Sequence, residues 1–407
     1  MKRSYLFLQG VCSPFFSRLG ARLHADGAEV SRVNFTAGDA AYWRNGEAHA
    51  FRGGLQALPA FYEAVFAQRG ATDIVLFGDC RPVHRPAIEL ARRKGLRIHV
   101  FEEGYFRPHW ITLERGGVNA YSALPRDPAW YREAARRMGA APDAQRFPAP
   151  FWNRAGHDVA YHLCGALNAA CFPRYRGHAP YGAVREYTAY LRRAARLRWR
   201  ARRDALAVAR VSSGSRPYYL LPLQLEGDAQ IRDHSPFHGM RQVLALAIAS
   251  FARHAPVHSL LVVKNHPLDP GLAHHEAGVR ELARVQGVAD RVLYLECGHL
   301  PSLLARAAGV VTVNSTVGAA ALERGCPTLA LSRAIYHLEG LTFQGGLDAF
   351  WQAAEPPDRP LFHAFKAAVV HATQINGGFY SEPGIALAVE RAAERMRRPR
   401  SLLEEML

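Results

Sequence analysis

What most constrains this chain is an alternation of short apolar runs with amphipathic stretches, made once and then made again. In the first half YLFLQ (5–9), AEVSRVNF (28–35), DIVLFG (73–78) and RIHVF (97–101) read as strands. LQALPAFYEAVFAQRG and PAIELARRKG carry helical spacing between them. After the turn-forming run SSGSRP (212–217) the pattern restarts with strands at 218–224, 259–264, 291–296, 309–314 and 327–331. Helices are expected near 237–254, 273–286, 301–307 and 316–324, and the tail from 360 to 398 reads as helical. Strands that are apolar throughout are buried on both faces, which is the habit of parallel α/β sheets. A chain of 407 residues is long enough to build two such cores. The expected domains are therefore 1–211, 212–375 and a C-terminal helix at 376–407 that packs back on the first. Between about 120 and 180 the chain is rich in Pro, Gly and aromatics without clear period, as an insertion or interdomain segment would be.

In open α/β sheets ligands sit beyond the carboxyl ends of the strands. Four such ends carry chemistry. FEEGYFRPHWITLE places Glu102, Glu103 and Gly104 after a strand, with Arg107 close behind. LPLQLEGDAQIRDHS runs from Gln224 through Glu226 and Gly227 to Asp228 and Gln230. VVKNHPLDP delivers Lys264, His266 and Pro267, and VVTVNSTVGAAALERG passes from a strand through Asn314 into Ser315, Thr316 and a helix.

A hydroxyl N-cap at Ser315 or Thr316, open N–H groups at Val317 and Gly318, and the positive end of a helix dipole suit a phosphate. Gly318 would let the ligand come close, although a plain helix cap reads the same way. Lys264 adds a fixed charge and His266 an imidazole donor on a turn stiffened by Pro267. Such donors stabilise a phosphate that gains charge as its bond to a sugar breaks. Glycosyl transfer also wants carboxylate near the anomeric carbon and an acid or base near the acceptor oxygen. Glu102 and Glu103 diverge in extended chain, so one faces the site and the other pairs with an arginine such as Arg107. Asp228, following a glycine in a loop, is exposed in this reading. Gln224, Gln230 and Arg107 are candidate substrate contacts; salt-bridged loop acids are the alternative for each carboxylate.

Lysine and arginine exceed the acids by 16, which points to polyanionic partners. The stretch from Arg185 to Arg210 alone carries nine arginines against two acids. Tyr190, Ala194, Leu197, Ala201, Ala205 and Val208 recur in it at helical spacing, so an apolar stripe with a basic remainder is expected. The helix either packs on its own domain or lies against anionic lipid. No zinc-finger, RRM or glycine-loop signature for nucleic acid is visible. The six scattered cysteines suggest reduced, mostly buried thiols in a cytosolic protein. No apolar run is long enough to span a bilayer, and the start reads as a first strand rather than a signal peptide.

The motifs FEEGYFRPHWITLE, QLEGDAQI, KNHPLDP and VNSTVGAAALERGCPTLAL resemble those of bacterial capsule polysaccharide biosynthesis proteins of the KpsS/LipB type. The resemblance runs from FLQGVCSPFFSRLG to about Tyr336. More distantly, the acidic-Gly turn, the His-Pro pair and the Ser-Thr helix start look like the motifs of GT-B sialyltransferases. The fold implied is α/β of GT-B type, two Rossmann-like domains facing a central cleft with a helical tail. The activity implied is a 3-deoxy-D-manno-octulosonic acid (Kdo) transferase, acting from CMP-Kdo on a (lyso)phosphatidylglycerol acceptor at the cytoplasmic face of the inner membrane. By the same resemblance His266, Ser315 and Thr316 hold the CMP phosphate, Asp228 is the nucleophile and Glu103 the acid/base. Other capsule biosynthesis enzymes are candidate partners, and neither a cofactor nor a metal is expected, in keeping with the absence of a D-x-D triplet. Within the same fold, a UDP-sugar transferase or a sugar-nucleotide epimerase is the alternative, and a non-catalytic assembly or export component is the third. Asn265 in KNHP departs from the relatives' less polar run.

Overall fold

The computed structural model describes residues 2–44, 46–177 and 181–407. In chain order its strands are β1 (Ser4–Phe7), β2 (Glu29–Asn34), β3 (Glu47–Ala50), β4 (Asp73–Phe77), β5 (Arg97–Glu103) and β6 (Trp110–Arg115). There follow β7 (Tyr218–Pro222), β8 (Leu260–Lys264), β9 (Val292–Leu295), β10 (Gly309–Thr312), β11 (Thr328–Ala330) and β12 (Gln374–Asn376). They make one sheet in the order β12-β6-β5-β4-β1-β2-β3 and another in the order β11-β10-β7-β8-β9. All nine expected strands are present. The exposed β3, the six-residue β6 and the three-residue β12 are additional to them.

The chain divides into two units, one comprising Met1–Leu124, Met138–His178 and Ala367–Leu407, the other Pro125–Arg137 and Ala179–Lys366. In the first, β3, β2, β1, β4 and β5 run parallel, and β6 and β12 add antiparallel edges. The period-two alternation of β1 builds both faces. Tyr5 and Phe7 face the helix Phe15–Ala25 and the C-terminal helix Glu382–Arg397, while Leu6 and Leu8 face the helices Leu58–Arg69 and Arg85–Arg93. Ile385, Ala388, Val389, Ala392, Ala393 and Met396 form the buried stripe of the C-terminal helix. Full burial of each large apolar side chain contributes about 1.5–3 kcal/mol.

The second unit is a five-stranded all-parallel sheet. Leu221, Val263, Val311 and Leu329 pack on the helices Met240–His254 and Leu347–Ala353, where Trp351 is fully buried. Tyr218, Leu220, Val262 and Val310 pack on the opposite side against Val208, Val211, Leu303 and Leu304. Both expected Rossmann-like units are thus present, the first on a mixed sheet with a parallel core and the second on an all-parallel sheet.

Several expectations are corrected. The basic helix, Ala183–Ser213, belongs to the second unit and not to the N-terminal domain, because Val208 and Val211 sit in that unit's core. The boundary accordingly falls well before 211, and the tail returns to the first unit from Ala367, with β12 interrupting the expected helix. The segment read as irregular holds the helices Pro128–Met138 and Phe151–Gly165. On the basic helix the expected apolar stripe is displaced: Ala194, Ala201 and Ala205 are exposed, and Arg193, Arg200 and Asp204 face inward. Of the six free thiols only Cys80 and Cys326 are buried. Among the described residues no helix is long and apolar enough to cross a membrane.

Candidate functional site

In the second unit the chain lays β8 and β9 to one side of β7, then β10 and β11 to the other, so strand order reverses between β7 and β10. Such a switch point opens a crevice beyond the carboxyl ends. Gln224, past β7, donates from Nε2 to Asn314 Oδ1 at 3.0 Å, and its Oε1 accepts the Asn314 N–H at 3.4 Å. Asn314, past β10, donates from Nδ2 to the carbonyls of Gln230 at 2.7 Å and His234 at 3.3 Å. Both amides are buried, so their polar atoms need these partners. The clasp ties down the loop that carries Asp228. That residue is half-buried rather than exposed as expected, and it N-caps the short helix Ala229–Arg232 by accepting the Gln230 N–H at 3.0 Å.

Ser315 N-caps the helix Thr316–Glu323, its Oγ accepting the Val317 N–H at 3.2 Å. The Gly318 N–H donates to the Ser315 carbonyl at 2.9 Å. Two donors assigned to a phosphate from sequence are therefore engaged within the turn itself. Gly318 serves a neighbour instead of a ligand: a Cβ there would come within 2.2 Å of Tyr336 Oη, and that hydroxyl donates to the Ser315 carbonyl at 2.6 Å. What the turn offers an anion is the hydroxyl protons of Ser315 and Thr316 at the positive end of the helix.

Beyond β8 the KNHP turn is held from several sides. Lys264 is buried, and its Nζ donates to the Asn265 carbonyl at 3.2 Å. Burial, aided by the charge of Arg193, lowers its pKa. Asn265, the departure from the family pattern, anchors the turn: its Nδ2 donates to Asp269 at 2.9 Å and lies 3.4 Å from both Glu296 oxygens. From the basic helix, Arg193 donates to the Pro267 carbonyl and Tyr190 to the Leu268 carbonyl, each at 2.7 Å. His266 Nδ1 accepts the Leu268 N–H at 3.1 Å. In the neutral ring the proton is then on Nε2, which makes Nε2 a donor. Glu296 ties the assembly together through Arg193 at 2.7 Å, Arg200 at 3.2 Å and Tyr294 at 3.1 Å. Burial pushes its carboxyl pKa up, but the hydrogen bond and charge of Arg193, with Tyr294 and Arg200, outweigh that and hold it below the ordinary value.

In the first unit β5 runs through Glu103 and turns back into β6, with Glu102 opposite Thr112 and Glu103 opposite Ile111. Gly104 makes the turn possible, since a Cβ there would lie 2.0 Å from the Trp110 carbonyl oxygen. Glu102 Oε1 accepts the Glu103 N–H at 2.9 Å, and its Oε2 lies 3.5 Å from where a Gly78 Cβ would stand, beyond β4. Arg107 is not the partner of either acid; its Nε donates to the Gly104 carbonyl at 3.3 Å. Glu103 pairs instead with Arg154 at 3.5 Å, and that guanidinium also lies 5.1 Å from the centre of the Tyr380 ring. Arg154 comes from the helix Phe151–Gly165, in the segment without readable period. The same helix adds Tyr161 to a buried group past β1 and β2. Asp39 there pairs with Arg32 at 3.1 Å and accepts from Tyr161 at 3.1 Å and Gln9 at 3.2 Å. A glutamine ending the first strand, in FLQG, is the sequence trace of that group.

A family model described as "Capsule polysaccharide biosynthesis protein" matches residues 72–380. The capsule polysaccharide export protein KpsS of Escherichia coli is 37% identical over 383 residues, covering 93% of this chain and 97% of KpsS. The capsule polysaccharide modification protein LipB of Neisseria meningitidis serogroup A is 34% identical over 386 residues, covering 93% of this chain and 91% of LipB. Among solved structures, the β Kdo 2,7 transferase KpsC of Thermosulfurimonas dismutans is similar with a TM-score of 0.46 at 14% identity, over 97% of this chain and 100% of that one. From the family match and from the extent of its identity to KpsS and LipB, the chain belongs to the capsule polysaccharide biosynthesis protein family.

Proposed function

We propose that this protein is a retaining glycosyltransferase that moves Kdo from CMP-Kdo to a (lyso)phosphatidylglycerol acceptor, working as a peripheral protein at the cytoplasmic face of the inner membrane. The Gln224–Asn314 clasp carries the reading, because it fixes an acid, Asp228, beside a hydroxyl-bearing helix start, Ser315–Thr316, at the switch point of a parallel sheet. His266 leaves the next strand over. Parallel neighbours lie about 4.8 Å apart, so the ends of the three strands that lead into these turns fall within about 10 Å of one another, the scale of a sugar phosphate. An acid for a cationic sugar, with imidazole and hydroxyl donors for a departing phosphate, is what transfer from a nucleotide sugar requires. The choice of donor and lipid acceptor follows from the motif resemblance to the KpsS/LipB type.

In the proposed reaction an Asp228 oxygen attacks the anomeric carbon while the bond from that carbon to the phosphate oxygen breaks, and CMP leaves with the electron pair. His266, Ser315 and Thr316 donate to the departing phosphate. The acceptor hydroxyl then attacks the same carbon and loses its proton to a general base, the role that the motif resemblance gives to Glu103, while the Asp228–carbon bond breaks to restore the carboxylate. Two inversions retain configuration. Proton donors do the work a metal would otherwise do, so neither metal nor cofactor enters. Lys264 and Asn314 support the turns rather than touch the sugar.

Thermal unfolding with CMP, UDP and GDP tests the donor. A nucleotide at a hundred times its dissociation constant stabilises by about 2.7 kcal/mol, and CMP is expected to do so. Stabilisation by UDP alone would move the protein to a UDP-sugar transferase or epimerase. No response to any nucleotide, and no product with CMP-Kdo and lyso-phosphatidylglycerol, would leave a non-catalytic assembly or export role.

A further inference from the structure

The basic helix Ala183–Ser213 has its polarity reversed for a helix that only rests on its own unit. Between Arg193 and Asp204 its inward face is ionic, with Arg193 and Arg200 on Glu296, Arg200 also on Glu276, and Asp204 accepting the N–H groups of Glu296 and Cys297, before Val208 and Val211 enter the apolar core. Its outward face is apolar: Val184, Leu191, Trp199 and Leu206 are 79, 73, 68 and 65% exposed. At 3.6 residues per turn these four fall in a stripe about 80° wide. Exposed arginines border or interrupt it at Arg185, Arg192, Arg196, Arg198, Arg202 and Arg210, and the helix's two acids, Glu186 and Asp204, project from the opposite side. In the first unit the helix Phe151–Gly165 carries a comparable row, with Trp152 78% exposed and Val159 and Leu163 following on the same face.

Single exposed leucines need no explanation, but a tryptophan and three aliphatics aligned on one helix do. A face that combines such a row with cations and no acid fits a bilayer interface, where the apolar side chains enter the headgroup boundary and the guanidinium groups meet lipid phosphates. We infer that the outward face of the basic helix seats this protein on anionic lipid, with Leu191, Trp199 and Leu206 in the interface and the flanking arginines on headgroups. The inference deepens the proposed function and rests on it for the presence of a lipid acceptor.

The test is co-sedimentation of the full chain with phosphatidylcholine vesicles, with and without added phosphatidylglycerol. Partitioning is expected only with the anionic lipid and is expected to weaken with salt. Arg192→Gln, Arg196→Gln and Arg210→Gln should each weaken it about fivefold. Leu191→Ser combined with Trp199→Ser should weaken it more than about tenfold, since both positions lose interfacial apolar area. Thermal unfolding of this double variant, and its turnover of a water-soluble short-chain acceptor, should match the wild type. Vesicle binding that survives the double variant, or that is equal on neutral lipid, would overturn the inference. So would protection of this face by a partner protein with no vesicle binding. Vesicle binding without glycosyl transfer would uphold the inference while the proposed function failed.

Discussion

Gln224 and Asn314 are joined by a 3.0 Å hydrogen bond across the point where the strand order of the second sheet reverses. Asn314 accepts there with its oxygen and donates with its nitrogen to two carbonyls. Asn314→Asp replaces that donor with a second acceptor, so it should destabilise at least as much as Asn314→Ala at neutral pH. Each should cost about 1–3 kcal/mol in urea unfolding, the penalty for unsatisfied buried polar groups. A harmless Asn314→Asp would mean that the clasp does not hold the turn.

Asp228 has two separable duties. As an N-cap it can be replaced by asparagine with little loss, whereas alanine should cost about 1 kcal/mol. In its proposed role as nucleophile it can be replaced by neither. Asp228→Asn is thus expected to unfold like the wild type, to bind CMP-Kdo and to show no transfer. Substantial turnover by this variant would leave the residue only its capping role.

The hydrogen bond from the Leu268 N–H to His266 Nδ1 places the ring proton on Nε2. Nitrogen NMR of the neutral ring should find Nε2 protonated, and His266→Ala should lower kcat about 100- to 1,000-fold, as loss of a transition-state donor does. An unchanged kcat would remove His266 from the chemistry.

Glu296 gives the KNHP turn an acid-sensitive prop. Its folded carboxyl lies below the ordinary value, with burial opposing and Arg193, Tyr294 and Arg200 favouring the charged form. A lowered folded pKa means stabilisation that is complete above the unfolded value, about 4.3, and lost as pH falls through the folded one. The stability advantage of the wild type over Glu296→Gln should therefore be about 3 kcal/mol or more at neutral pH and shrink below about pH 4. A pH-independent difference would show that the carboxylate charge is not the stabilising element.

Gly318 and Tyr336 should behave as a coupled pair, because a Cβ on the glycine meets the tyrosine hydroxyl and ring at 2.2–2.7 Å. Gly318→Ala is expected to cost about 1–3 kcal/mol, and less in a Tyr336→Ala background. Additive losses would mean that the alanine's penalty arises elsewhere.

Most of the nine expected strands are legible because near-continuous apolar runs of four to six residues have few other homes, whereas β2 holds Ser31, Arg32 and Asn34 in its buried part. β6, opening on Trp110 just past the 105–108 turn, and the three-residue β12 are not legible, since pairing with a neighbour defines them more than composition does. The strand-end residues were found, but not their neighbours. Arg154 lies some fifty positions from Glu103 in a helix that has no fully buried residue, and only the fold brings them to 3.5 Å. For the basic helix the spacing identifies the element but not its buried face. Arginines count as outward in any periodicity argument, and here Glu296 and Glu276 draw two of them inward.

The most direct test of the proposed chemistry is to incubate the purified protein with CMP-Kdo and lyso-phosphatidylglycerol and read the anomeric configuration of the lipid-linked sugar by NMR. Retention of the donor's configuration is predicted, with product lost in Asp228→Asn. An inverted product, or a retained one still formed by Asp228→Asn, would contradict the assignment of that carboxylate as the nucleophile.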